Sequence, residues 1–287
     1  MMQMEECLKK IGDDIWFTEV DRNNLKIDYR IKEIIYQGNS PIQQIMILDS
    51  YDFGPMLVLD DAIQTTSNDG YIYNEMIAHV PLNIHPNPKN VLIIGGGDCG
   101  AAREVTKYPN VERIDMVEID EMVVQTCRKY LPKVSGNLSD PRVNFIFEDG
   151  TAFVKEQRDY LYDVVIIDSS DPVGPAVKLF ELEFYKDIYS NLREDGLMVC
   201  QSESPIFYSE MMVKIHKNLH SLFPVVKTYM ATVPTYPGGF WTFTMGSKKY
   251  RKPNPEKFDK DTQYINKEIL ESCFILPKFI EKLLDDN

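Results

Sequence analysis

The sequence predicts an α/β fold: a mostly parallel sheet with helices on both faces, preceded by a small antiparallel β domain. Three observations carry this. From about residue 90, short continuously apolar runs alternate with helical patterns, as parallel strands buried on both faces do. The first 68 residues instead show short alternating runs broken by Gly54-Pro55, the mark of antiparallel hairpins. A G-x-G-x-x-G motif, from Gly95 to Gly100, closes the first apolar run. At 287 residues, and about 150 per domain, two domains are expected, 1–68 and 69–287.

The elements follow in order. IDYRIKEIIYQ, QQIMILDSYDF and GPMLVLDDAIQTT read as strands of the N-terminal domain. From Gly70, YIYNEMIAHVPLNI has helical spacing, with Ile72, Met76 and Ile77, then His79 and Val80, near one face. HPNPKN makes a turn. Then come strand VLIIGGG, helix AAREVTKY, strand RIDMVEID, helix EMVVQTCRKYLP, strand VNFIFEDG, strand YDVVIIDSS, helix LFELEFYKDIYSNL, strand GLMVCQSES and helix SEMMVKIHKNLHSLF. VVKTYMATVPTY and GGFWTFTMGSK read as late strands that pair antiparallel. The tail after Lys252 is polar, then helical, and belongs at the periphery.

Composition narrows the function. With 44% hydrophobic and 26% charged residues the chain is neither mainly disordered, collagen-like nor a disulfide-stapled mini-protein. Its net charge of −13 repels phosphate backbones, so no nucleic-acid partner is expected, and it suits a cationic small substrate. Five scattered cysteines without C-x-x-C point to free thiols and a cytoplasmic location. The N-terminus lacks an uninterrupted apolar stretch and no run is long enough for a bilayer, so neither a signal peptide nor a membrane partner is expected. His216 and His220 lie four apart on a helix with no third ligand in view; a packing role is preferred to metal, and no metal is expected.

The glycine motif permits a tight turn and close ligand approach, but NAD enzymes, methyltransferases and structural turns all use it. Its neighbours make it Rossmann-like in context. Glu118 ends the second strand, where an acid accepts both ribose hydroxyls. Asp149-Gly150 follows the third, where a carboxylate can accept from an adenine amino group. Asp98 sits inside the glycine loop, where it would repel a pyrophosphate. An acid there fits a ligand with a sulfonium or an amine, which favours the class I methyltransferase-like variant of the fold and an adenosyl-sulfonium donor over NAD. The fourth strand ends in DSSDPVGPA, with Asp168 and Asp171 flanking the strand-to-loop transition. A carboxylate there can hold a protonated amine and then take its proton as the amine attacks carbon.

Together, VLIIGGGDCGAAREV, VEIDEMV, DSSDPVGPA and VPTYPGGFWTF resemble the blocks of the polyamine aminopropyltransferases, with the spermidine synthases most similar, over nearly the whole chain. The resemblance implies transfer of an aminopropyl group from decarboxylated S-adenosylmethionine, as co-substrate and without a prosthetic group, to a primary amine. Putrescine is the acceptor it implies first, with spermidine and methylthioadenosine as products. It implies Asp168 as general base and Asp171 at the acceptor amine. It places Asp98 on the aminopropyl amine, Glu118 on the ribose, Asp149 and Gly150 at the adenine, and Gly95 and Gly97 along the donor. Pro175 lies over the nucleoside, Gln43 and Gln64 against the donor, and Tyr73, Asn74 and Tyr236 in the amine channel. A homodimer or homotetramer is also implied.

The chain departs from the family pattern at Cys99 for glycine, Gly70 for glutamate, Asn74 for glutamine or histidine, and Lys178 for a small or polar residue. Cys99 is expected to pack, since nothing activates its thiol. Gly70 and Lys178 read best as surface drift. They also leave open a donor with its carboxylate intact, hence carboxyaminopropyl transfer to putrescine or agmatine. An amine N-methyltransferase and a non-catalytic nucleoside- or amine-binding protein share the donor architecture; an NAD dehydrogenase fits least.

Overall fold

The computed structural model describes residues 7–22, 24–136, 138–172 and 174–285, with the side chains of Arg22 and Pro175 left outside the description. The N-terminal part is a six-stranded antiparallel sheet in sequence order: β1 (Leu8–Ile11), β2 (Asp14–Arg22), β3 (Leu25–Asn39), β4 (Gln44–Ser50), β5 (Gly54–Leu59) and β6 (Ala62–Thr66). The first two strands escape the sequence reading. β1 is short and exposes Lys9, Lys10 and Ile11, so it has no apolar run to betray it. Its turn into β2 passes through Gly12 at φ +65°. Along β4 the sides alternate. Met46 and Leu48 pack with Phe17 and Tyr29, while Ile45 and Ile47 face Val123, Cys127 and Leu131 of the second half. One face thus closes a small core of its own and the other welds it to the rest of the chain.

The second half carries β7 (Asn90–Gly95), β8 (Arg113–Glu118), β9 (Val143–Phe147), β10 (Tyr162–Asp168), β11 (Leu192–Gln201), β12 (Val225–Thr232) and β13 (Phe240–Ser247). Their spatial order is β12-β13-β11-β10-β7-β8-β9. β7 to β11 run parallel, and the late strands pair antiparallel to each other and to β11, as the sequence predicts. The helices are α1 (Gly70–Ile84), α2 (Gly100–Thr106), α3 (Glu121–Tyr130), α4 (Pro132–Ser135), α5 (Gly150–Phe153), α6 (Leu182–Asn191), α7 (Ser209–His220), α8 (Lys267–Ser272) and α9 (Lys278–Asp285), with a 3-10 helix at Gly174–Phe180. One face of the sheet packs on α1 and α2, the other on α6 and α7.

α1 differs from its sequence pattern. One apolar face is expected, yet every residue except Tyr71 is buried. The reason is its position: it packs on the parallel sheet and is covered by tail residues such as Phe258, Ile265 and Leu270. Its polar residues are therefore spent internally. Glu75 accepts the backbone N–H groups of Gln263, Tyr264 and Ile265 at 2.8–2.9 Å, which ties the tail to the helix. His79 bonds Glu104 on α2 at 2.8 Å. Among the described residues no helix is long and apolar enough to cross a membrane.

Candidate active site

The chain leaves β7 towards β8 on one side and later returns to β10 on the other. Their carboxyl ends therefore flank the point where strand order reverses, the place in open α/β sheets where ligands bind. Gly95 ends β7, Asp168 ends β10, and the two are register partners. A β-carbon on Gly95 would lie 2.1 Å from the Asp168 carbonyl oxygen, and its φ is +83°, so only glycine fits. The next amide, Gly96, donates to that carbonyl at 2.8 Å. The glycine turn thus presses the loop against the strand end that carries the DSSDP segment.

Asp98 hangs from this loop. One carboxylate oxygen accepts from the Gly100 amide at 2.7 Å, the other faces Asn74 Nδ2 at 3.4 Å, and Thr65 adds a further hydrogen bond. Burial nevertheless pushes the carboxyl up from its ordinary range, against these bonds and the charge of Arg103. Asn74 is 1% exposed, and its Oδ1 has no partner. Asp168 lies beside Asp98. Burial and then the Asp98 charge raise its pKa, while a hydrogen bond from Tyr73 lowers it. Two neighbouring carboxylates in a crowded site cannot both ionise cheaply, so the pair favours holding a proton. A cation entering between them takes that proton's place.

Glu118, at the end of β8, is the third acid of the cleft. Burial lifts it to about 7, and it accepts from the Asp120 amide at 2.9 Å. A β-carbon on Gly97 would come within 3.1 Å of its Oε2, so the glycine lets the loop pass close to the acid. Gln43, ahead of β4, reaches this corner by donating to Asp120 Oδ2 at 2.9 Å, where Ser40 also donates. On the other flank Tyr236 donates to the Gln64 carbonyl at 2.7 Å. It packs edge-on against Tyr73, with ring centroids 5.9 Å apart, and against Trp241 at 4.6 Å. These rings wall the approach to Asp168 with apolar surface.

Other candidates lie at the margin. Asp149 is exposed and caps α5, its Oδ1 accepting from Thr151 N and Oγ1. Gly150 is buried, with Ile94 where its β-carbon would be. Pro175 belongs to the 3-10 helix after Asp171, its side chain outside the described residues, as is Val173. Lys178, in the same helix, is exposed. Gly70 is not surface drift: it is buried, and a β-carbon would lie 2.3 Å from Thr65 Oγ1, the hydroxyl that supports Asp98. Cys99 is fully buried at φ +66°. Burial and then the Asp98 charge raise its thiol pKa far above the ordinary range, which fits a packed side chain.

Several residues escape the sequence reading. Thr65 is one. Glu203, just past β11, and Asp21, on β2, are others, both near Asp171. Asp171 is exposed at its edge, yet partial loss of solvent and then the charge of Asp21 raise its pKa; burial raises Glu203, as does the charge of Asp171. Glu203 was within reach of the strand-end argument applied to Asp98, Glu118 and Asp149, because GLMVCQSES is read as the fifth strand. Asp21 was not, because β2 itself is missed. Among the described residues one group of possible metal ligands, His85, Asp163 and Asp195, clusters where β10 and β11 begin, opposite the cleft. Asp163 already accepts from the Lys89 and Asn90 amides and pairs with Arg193, while Asp195 takes the Tyr250 hydroxyl; these are structural ties.

Comparison with known proteins bears on the family and the fold. Residues 70–257 match the family described as the spermine/spermidine synthase domain, and residues 15–67 match the spermidine synthase tetramerisation domain. A polyamine aminopropyltransferase of Thermoanaerobacter sp. is 48% identical over 279 residues, spanning 95% of this chain and 99% of the relative. One from Methanocaldococcus jannaschii is 46% identical over 279 residues, spanning 93% and 94%. Among solved structures, a spermidine synthase in complex with the transition-state analogue AdoDATO has a TM-score of 0.92 at 36% identity, covering 100% of both chains. The spermidine synthase from Thermotoga maritima gives 0.88 at 36% identity, covering 99% of each.

Proposed function

The chain belongs to the spermine/spermidine synthase family, and from that premise we propose that it transfers the aminopropyl group of decarboxylated S-adenosylmethionine to a primary amine, putrescine first among them. The products are spermidine and methylthioadenosine. One observation carries the reading most. Asp168 stands at the strand-order reversal, in register with Gly95, with Asp98 beside it and aromatic rings on one flank.

The reaction is a direct displacement. The donor's adenosine lies along Gly95 and Gly97, its ribose hydroxyls on Glu118, its base toward Asp149 and Gly150, with Pro175 above the nucleoside and Gln43 and Gln64 at the N-terminal side. Asp98 holds the aminopropyl ammonium, and the unpartnered Asn74 Oδ1 offers a second acceptor there. The acceptor amine arrives protonated between Tyr73 and Tyr236. Asp168 takes its proton, the nitrogen lone pair attacks the propyl carbon bound to sulfur, the carbon–sulfur bond breaks, and its electrons leave with methylthioadenosine. The sulfonium supplies the leaving group, so the protein supplies orientation and deprotonation. The same carboxylates disfavour an intact donor. Its extra carboxylate would sit beside Asp98, and Arg103 is already committed to Glu104.

The product mass after incubation with putrescine or agmatine, each with decarboxylated or intact S-adenosylmethionine, tests this. Aminopropyl addition from the decarboxylated donor alone is expected. Carboxyaminopropyl addition, or methyl transfer with release of S-adenosylhomocysteine, overturns it.

The domain division at 68/69 is supported by the end of β6 at Thr66 and the start of α1 at Gly70. A homo-oligomer, dimer or tetramer, assembled through the N-terminal sheet is supported by the family match there and by exposed Ile11, Val20 and Ile34; light scattering gives its order. A cytoplasmic setting accords with five free, buried cysteines.

A further inference from the structure

We propose that Asp69 is a positioning residue of the acceptor channel: its carboxylate ties the loop that carries Tyr236 to the start of the helix that carries Tyr73, and so fixes the corner that the two rings form along the amine's path. The inference rests on the aminopropyl transfer proposed above and assigns what holds the walls of that path.

The clue is a helix cap that is not made. Asp69 stands at the N-cap of α1, where an aspartate ordinarily accepts from the amides of its own first turn, yet its side chain makes no such bond. Both carboxylate oxygens are spent elsewhere. Oδ1 accepts from Thr66 Oγ1 at 2.6 Å, at the end of β6. Oδ2 accepts from the Thr235 amide at 2.8 Å and from the Thr235 hydroxyl, on the loop between β12 and β13. Asp69 is 5% exposed and both threonines are buried, so water does not compete for these bonds. The Thr235 carbonyl in turn accepts from the Tyr29 hydroxyl at 3.1 Å. Tyr236 is the next residue on the loop, and Tyr73 lies one helical turn beyond Asp69 on α1.

The loop's own bonds, from the Tyr236 amide to the Val233 carbonyl and from the Gly239 amide to the Tyr236 carbonyl, fix its shape. Its place is fixed from outside, by Asp69 and Tyr29 on Thr235 and by the Gln64 carbonyl on the Tyr236 hydroxyl. Tyr73 is held separately, by its bond to Asp168 and by Phe243, with ring centroids 5.2 Å apart. A carboxylate takes several donors at once, and such bonds are charge-assisted. One side chain thereby holds β6, the start of α1 and the Thr235 loop together, and Tyr236 cannot swing away from Tyr73 without breaking a buried bond. A methylene chain passing along that corner meets two fixed apolar faces, while a branched chain meets them as overpacking. The role asks nothing of the Asp69 charge beyond its hydrogen bonds, which separates it from the acids that face the amine.

The test compares 1,4-diaminobutane with 2-methyl-1,4-diaminobutane, which carry the same two amines and differ in width, with saturating decarboxylated S-adenosylmethionine and methylthioadenosine release as readout. Asp69→Ala should raise KM for the linear amine about tenfold, the worth of one charge-assisted hydrogen bond, and lower the linear-to-branched ratio of kcat/KM by about the same factor. Methylthioadenosine affinity should stay within about threefold. Asp69→Asn keeps an oxygen for Thr235 and an N–H for the Thr66 hydroxyl, so it should recover most of the ratio without the charge. Thr235→Val keeps the shape of threonine, removes one bond and should move the ratio part of the way; it carries the test if Asp69→Ala does not fold. An unchanged ratio in these variants, or an equal loss for both amines, makes Asp69 a tie of stability alone and overturns the proposal. An Asp69→Asn variant as poor as Asp69→Ala places the effect in the charge and overturns it too. A wild type that uses neither amine sinks the transfer reaction itself, and the positioning role with it.

Discussion

Asp168→Asn isolates the deprotonation step. The substitution keeps the side-chain shape, an oxygen to accept from Tyr73, and the carbonyl that receives the Gly96 amide. It removes the base. An alkylammonium with a pKa of about 10.4 is neutral in roughly one molecule in a thousand near pH 7.4. An enzyme without a base must wait for that fraction, so kcat/KM should fall about 1000-fold, or about 4 kcal/mol, within the range usual for a general base. The assay is methylthioadenosine release at saturating donor from pH 7 to 10. The variant should gain about tenfold per pH unit as free amine accumulates, and its gap to the wild type should close to within about tenfold near pH 10. Methylthioadenosine affinity, which does not use the base, should stay within about threefold and so report that the site is folded. A variant within tenfold of wild type at pH 7.4, or a gap constant across the range, would refute Asp168 as the base.

Three further outcomes follow from the packing. Glu75→Ala strips the acceptor from three tail amides. It should cost about 3 kcal/mol, read as a lowered thermal midpoint, and open residues 250–285 to proteolysis; an unchanged digest contradicts the clamp. Burial raises the pKa of Glu104, but His79, Lys107 and Arg103 together outweigh it and hold the carboxyl down at about 2. A depressed carboxylate stabilises the fold above its ordinary pKa near 4.5 and loses that contribution as pH falls towards 2, here about 3 kcal/mol. The stability gap between wild type and Glu104→Gln in urea should therefore narrow over that window, and a pH-independent gap contradicts the assignment. Gly70→Ala drives a β-carbon into Thr65 Oγ1 and loosens the hydroxyl from Asp98. The donor KM should rise about tenfold with a smaller change in kcat; an unchanged donor KM separates Thr65 from the site.

How much of this was legible in the sequence depends on where each residue's partners lie. The parallel sheet was readable because its strands are continuously apolar. Asp98, Glu118 and Asp168 were readable because strand ends in such sheets converge by topology, whatever the loops do. Gly70 was misread because its constraint is a contact with Thr65, five residues back across a turn, which no local pattern records. Glu75 was invisible for a similar reason: a carboxylate in a helical pattern reads as solvent-facing until the tail that covers it is in place. Asp21 is the extreme case. It sits on a strand with no clear apolar signal, in the other domain, and acquires meaning only when Tyr208 and Glu203 approach from more than 180 residues away along the chain. The strand-end acids Asp98, Glu118 and Asp168 are therefore written mainly in local motifs, while the acids around Asp171 come together only where the two domains meet.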